Sequence, residues 1–179
     1  MATFVALLRA VNVGGRNQLS MTELRALFES FGYSHVETYI QSGNVVFDGA
    51  SRKSALVASE VEAAFADALG RPLDVVIRSA REMSAVIKAN PFLGRVPDPT
   101  KLHVVFLNHA PDEARVNELD VSRFEPEEFA LGAREVYLHC PDGLGRSKLS
   151  AALAAKLTPM PSTVRNWNTV NKLAALAKR

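Results

Sequence analysis

A chain of 179 residues, 47% of them hydrophobic, has the composition of one globular domain or two small ones. A formal charge of +2, with dispersed basic residues apart from Lys178-Arg179, excludes a strong pull toward nucleic acid or anionic membrane, and no apolar run approaches a membrane span. The single cysteine, Cys140, excludes an internal disulfide framework; with no basic segment ahead of a long apolar run at the N-terminus, a cytoplasmic protein is expected.

The first element is a strand over Phe4–Val11, rich in large apolar and β-branched residues and closed by Gly14-Gly15. Ser20-Met21-Thr22-Glu23 has capping-box spacing, and Met21, Leu24, Leu27, Phe28 and Phe31 form a helical stripe ending at Gly32. Val36–Ile40 and Val45–Asp48 are short strands around the turn Gln41-Ser42-Gly43-Asn44. Leu56, Val57, Val61, Ala64, Phe65 and Ala68 predict one face of a second helix, stopped by Gly70, and Leu73–Arg78 is a further strand. That order, β-α-β-β-α-β, is the ferredoxin-like arrangement. Ser79-Ala80-Arg81-Glu82 caps an extra helix with Met83, Val86 and Ile87 inward, ending before Asn90-Pro91.

Pro91, Gly94, Pro97 and Pro99 mark residues 91–100 as a linker. The order then restarts: a strand over Leu102–Leu107, a helix opened by Pro111 and running to about Asp120, and a hairpin of Glu128–Leu131 and Glu135–Cys140 around Gly132. A helix over Ser147–Leu157, a short strand over Ser162–Arg165 and a helix from Trp167 to Ala177 complete it. Val45-Val46-Phe47-Asp48-Gly49 with Ser51-Arg52-Lys53 echoes Tyr137-Leu138-His139-Cys140-Pro141-Asp142-Gly143 with Arg146-Ser147-Lys148, a weak sign of duplication. The expected fold is α+β, two successive ferredoxin-like lobes with extra helices. Residues 1–90 and 101–179 are the lobes and 91–100 joins them.

This topology sets the end of the first strand, Arg9 to Asn12, beside Gln41–Asn44, with Ser20 and the Gly70-Arg71-Pro72 turn at the same sheet edge. Leu7-Leu8-Arg9-Ala10-Val11-Asn12-Val13-Gly14-Gly15, then Thr38-Tyr39-Ile40-Gln41-Ser42-Gly43-Asn44-Val45-Val46-Phe47, resembles a widespread bacterial family of uncharacterised proteins, domain of unknown function 1697. The likeness continues in Gly143-Leu144-Gly145-Arg146-Ser147-Lys148-Leu149 and Thr163-Val164-Arg165-Asn166-Trp167-Asn168-Thr169-Val170. It implies an α+β architecture and a cytosolic protein. It implies no reaction and no catalytic residue.

Three polar clusters are candidates for a ligand. Arg9, Asn12, Gly14, Gly15, Arg16 and Asn17 with Gln41, Ser42, Gly43 and Asn44 offer amides, guanidinium groups and backbone N–H donors to an anion; turn chemistry accounts for the same residue types. Arg9 favours the anion, because a guanidinium at the end of a central strand needs a negative partner, bound or internal. Gly143–Lys148 follows a strand and opens a helix, but it lacks the spacing of a P-loop, and no dinucleotide fingerprint exists. Ser147 and Lys148 there fit a helix cap as well as an anion contact. In Arg165-Asn166-Trp167-Asn168 the arginine suits a phosphate and Trp167 a stacked base or aromatic ligand; the alternative is a helix start with Asn166 as cap and Trp167 packed on the core.

Catalytic signals are absent. The four histidines, His35, His103, His109 and His139, lack zinc spacing, and His139 and Cys140 point to opposite faces of a strand. Glu125, Glu127 and Glu128 read as solvated, Asp74 and Asp112 stand isolated, and no nucleophile elbow occurs. No metal site and no cofactor is expected. A small phosphorylated or nucleotide-like anion is the preferred ligand over a nucleic-acid polymer. The alternatives are a small-substrate enzyme with an inter-lobe cleft, in which Ser42, Tyr39 and His35 are nominal candidates, an RNA-binding module, or a protein without a ligand.

Overall fold

The computed structural model describes residues 1–9 and 19–178, so the glycine-asparagine segment from Ala10 to Gln18 lies outside the described residues. The chain divides into two compact units, Met1–Ser84 with Lys172–Arg179, and Ala85–Asn171.

In the first unit, β1 (Ala2–Leu8), α1 (Met21–Ser30), β2 (Ser34–Tyr39), β3 (Asn44–Gly49), α2 (Ser54–Leu69) and β4 (Val75–Ser79) follow in the expected order. The sheet runs β2-β3-β1-β4, and every neighbouring pair is antiparallel. α1 starts where the sequence signals it: the Glu23 N–H donates to Ser20 Oγ at 3.1 Å, and the Ser20 N–H donates to Glu23 Oε2 at 2.8 Å. α2 stops at Gly70, whose φ of +65° is a left-handed cap that a side chain would strain. Phe4, Ala6 and Leu8 of β1, Val45 and Phe47 of β3, and Val75 and Ile77 of β4 face the helices. They close on Phe28 and Phe65, with the Phe28 ring 5.0 Å from Phe47 and 5.7 Å from Phe65. Each fully buried phenylalanine contributes on the order of 2 kcal/mol.

Leu56 departs from expectation, being 56% exposed. The buried stripe of α2 is Ser54, Val57, Ala58, Val61 and Phe65. At about 100° per residue Leu56 falls on the opposite side of the helix, whereas Ala68 is in line with the stripe but exposed in the last turn.

α3 (Ala80–Lys88) follows β4 directly, with the Glu82 N–H donating to Ser79 Oγ at 3.2 Å and the Ser79 N–H donating to Glu82 Oε2 at 2.7 Å. The expected linker holds a 3-10 turn, Pro99–Lys101, capped by Asp98.

The second unit has β5 (Leu102–Leu107), α4 (Glu113–Asn117), β6 (Glu128–Leu131), β7 (Glu135–His139), α5 (Lys148–Leu157) and β8 (Ser162–Asn166); α6 (Trp167–Leu176) follows. Its sheet repeats the first one's pattern, β6-β7-β5-β8, again all antiparallel. The helix expected from Pro111 to Asp120 is shorter. Pro111 lies ahead of the cap, Asp112 Oδ1 accepts the Arg115 N–H at 3.2 Å, and a separate 3-10 turn, Val121–Phe124, is capped by Asp120. The aspartates compete for local N–H groups and break the run in two.

The core-facing positions correct the sequence echo. Phe4 pairs with Phe47 and Ala6 with Val45; in the second sheet Val105 pairs with Val136 and His103 with Leu138. Val45 therefore corresponds to Val136, whereas the echo aligned it with Tyr137. A one-residue slip exchanges the two faces of a strand, so the echo is not the structural correspondence.

Candidate functional site

The edge where β1 ends is built from three segments of the first unit. Leu7 pairs with Asn44, and the Leu8 N–H donates to the Gly43 carbonyl at 2.8 Å, which fixes the hairpin turn beside the strand end. On the other side the Arg9 N–H donates to the Asp74 carbonyl at 3.0 Å. The turn itself is constrained. Ile40 is 50% exposed and has a φ of +47°, a conformation β-branched residues rarely take, and Gly43 has a φ of +72°.

The side chains of the turn differ in burial. Asn44 is fully buried, and its Nδ2 donates to the Tyr39 carbonyl at 3.0 Å and to Ser42 Oγ at 2.8 Å, so this amide holds the turn closed. Gln41 and Ser42 are exposed. The Arg9 guanidinium has the internal anion that its position demands: Asp74 Oδ2 lies 3.1 Å from Nη1, with the two side chains 52% and 44% exposed. Asp74 is thus not isolated. Of the remaining candidates at this edge, Asn12, Gly14, Gly15, Arg16 and Asn17 lie outside the described residues.

The start of α5 already holds a carboxylate. Gly143, at φ +88°, leads into a 3-10 turn over Leu144–Arg146, and Ser147 Oγ accepts the Ser150 N–H at 2.9 Å. Glu127 Oε2 accepts the Leu149 N–H at 2.8 Å, occupying the place an external anion would take. Lys148 is exposed at the first turn. The expectation that Glu127 and Glu128 are merely solvated therefore fails. Glu128 meets Arg95 Nη2 at 2.9 Å and His139 Nδ1 at 3.4 Å, and hydrogen bonding from Arg95 holds its carboxyl below the usual range.

At the third cluster Asn166 Oδ1 accepts the Asn168 N–H at 3.0 Å, the cap the sequence suggests, and its Nδ2 donates to the Thr100 carbonyl at 3.0 Å. Trp167 is 4% exposed, so its ring is packed rather than offered to a base. Arg165 is buried; its Nη1 donates to Thr163 Oγ1 at 2.6 Å and to the Val164 carbonyl at 2.8 Å, and desolvation lowers its pKa to about 10. It stays charged at neutral pH.

Sequence reasoning missed a counterpart. Arg78 of β4 is 1% exposed, and its Nη1 donates to the carbonyl of the preceding residue, Ile77, at 3.0 Å. Arg78 pairs with Val5 and Arg165 with Val104, so each unit buries an arginine at the same register position of its fourth strand. The signal was present in the repeated element order, but only pairing register aligns the two.

Cys140 lies in the second core, and burial pushes its thiol pKa up, which makes it a poor nucleophile. Among the described residues no group of three histidine, cysteine or acidic side chains is placed to hold a metal, and no helix is long and apolar enough to cross a membrane.

A family model described as a protein of unknown function, DUF1697, matches residues 1–137. A solved structure, the conserved bacterial protein SP0830 from Streptococcus pneumoniae, is 24% identical over 99% of this chain and 99% of its own, with a TM-score of 0.77. That likeness shows the fold. No curated protein matches the chain.

Proposed function

We propose that this chain, which belongs to the DUF1697 family of proteins of unknown function, binds a small phosphorylated anion at the edge where β1 ends. In this reading residues 1–90 and 101–179 are ferredoxin-like lobes joined through 91–100. Arg9 and Arg16 meet the charge, and Asn12, Gly14, Gly15, Asn17 and Gln41–Gly43 supply amide and backbone donors.

The supporting observation is the Arg9–Asp74 pair. With both side chains about half exposed, it contributes about 0–1 kcal/mol. A phosphate offers a guanidinium two parallel charge-assisted hydrogen bonds, so exchanging Asp74 for the ligand costs little and gains a stronger partner. The neighbouring exposed groups, Gln41 and Ser42, stand on a turn tied to the same strand end. An RNA platform is less well supported. It needs an open sheet face for base stacking, whereas Val5, Leu7, Val46, Val76 and Arg78, opposite the helices of the first sheet, are all at most 2% exposed.

Thermal unfolding across a panel of phosphorylated compounds tests the reading. At about ten times the dissociation constant a ligand adds about 1.4 kcal/mol, a rise of roughly 3–6 °C for a protein of this size. The rise is expected for the wild type and lost in Arg9→Ala and Asn12→Ala. No stabilisation by any member of the panel refutes it.

A further inference from the structure

The second unit carries a distinct site at the corresponding edge of its own sheet, where β5 ends and β8 begins. A cavity of about 310 Å³ opens there, within the size range of small-molecule pockets. Leu157, Pro159, Met160 and Pro161 line it, with Leu157 buried and Met160 and Pro161 half-buried, so apolar atoms form its floor. His109 and Arg115 are exposed and stand at the rim.

The charges on the lining are unevenly satisfied. Lys156 is paired with Glu118, and the Asp112 carboxylate accepts the Arg115 backbone N–H as the α4 cap. The Arg115 guanidinium and the His109 imidazole make no hydrogen bond or ion pair among the described residues. One unspent planar cation beside a largely apolar hollow selects a ligand with an apolar body and a single anionic head. Asp112 and Glu118 nearby disfavour a dianion such as phosphate, whereas a carboxylate fits the guanidinium fork with two parallel hydrogen bonds. Prolines and the Met160 thioether suit a flat ring.

We infer that this cavity binds a small aromatic carboxylate, its ring on the Leu157–Pro161 floor and its carboxylate on Arg115. The inference rests on the second unit alone and not on the reading of the β1 edge.

The test is an NMR titration of protein labelled at its methionine methyl groups, with 2-naphthoate as probe and 2-naphthylmethanol as its neutral analogue. The site predicts saturable displacement of the Met160 methyl resonance by 2-naphthoate, with Met21 and Met83 unmoved. Arg115→Gln weakens 2-naphthoate at least tenfold and changes the alcohol less than twofold. Arg9→Ala leaves 2-naphthoate binding unchanged, so the two sites succeed or fail separately. Failure of millimolar 2-naphthoate to move Met160 overturns the inference. So does equal loss of acid and alcohol in Arg115→Gln, or displacement of the acid by inorganic phosphate at matched concentration.

Discussion

His103 lies on the core-facing side of β5 at 6% exposure, with its Nδ1 lacking a hydrogen-bond partner among the described residues. Burial pushes its pKa below the ordinary value, opposed by a hydrogen bond with the Lys101 backbone. The sign follows from linkage. The unfolded chain takes up a proton first, near the ordinary histidine pKa of about 6.5, so the neutral ring's full stability is present above that pH. It is lost as pH falls from there to the lowered folded value. Denaturant unfolding between pH 8 and 5 is expected to show this fall, at no more than about 1.4 kcal/mol per pH unit, and His103→Leu is expected to flatten it. Identical pH profiles for the two proteins contradict the assignment. No sequence signal marked this histidine. A strand buried on both faces reads as a continuous apolar run, and an occasional polar residue within it carries no label for its side. Asp74 was hidden for a different reason: its partner, Arg9, is 65 residues away.

At the scale of elements, local chemistry was readable and long-range satisfaction was not. The Ser20–Glu23 and Ser79–Glu82 boxes, the Gly70 stop and the hairpin around Gln41–Gly43 each depend on residues within a few positions, and each forms as the sequence indicates. The helix after Pro111 failed because Asp112 and Asp120 each cap a separate turn. The start of α5 looked open to an anion because its carboxylate, Glu127, comes from 22 residues upstream. Removing that charge costs a helix-terminus interaction and a charge-assisted hydrogen bond. Glu127→Gln is therefore expected to lower unfolding free energy by about 1 kcal/mol, while Glu125→Gln, at an exposed position, stays within about 0.5 kcal/mol. Equal effects of the two substitutions in urea unfolding contradict the role given to Glu127.

Over the whole molecule the repeated order of elements was legible, and with it the meeting of the β1 end and the 41–44 turn. The register relating the two sheets was not, since it appears only when core faces are known. The buried arginines Arg78 and Arg165 emerge as counterparts from that register alone. The proposed anion site draws its force from the first of these facts and from the weakness of the exposed Arg9–Asp74 pair. Calorimetric titration of inorganic phosphate into wild type, Arg9→Ala and Asp74→Asn tests it most directly. If the ligand takes Asp74's place on Arg9, removing the competing charge tightens phosphate binding by up to about fivefold and Arg9→Ala abolishes it, since exposed pairs contribute up to about 1 kcal/mol. Phosphate binding that is indifferent to both substitutions contradicts the account.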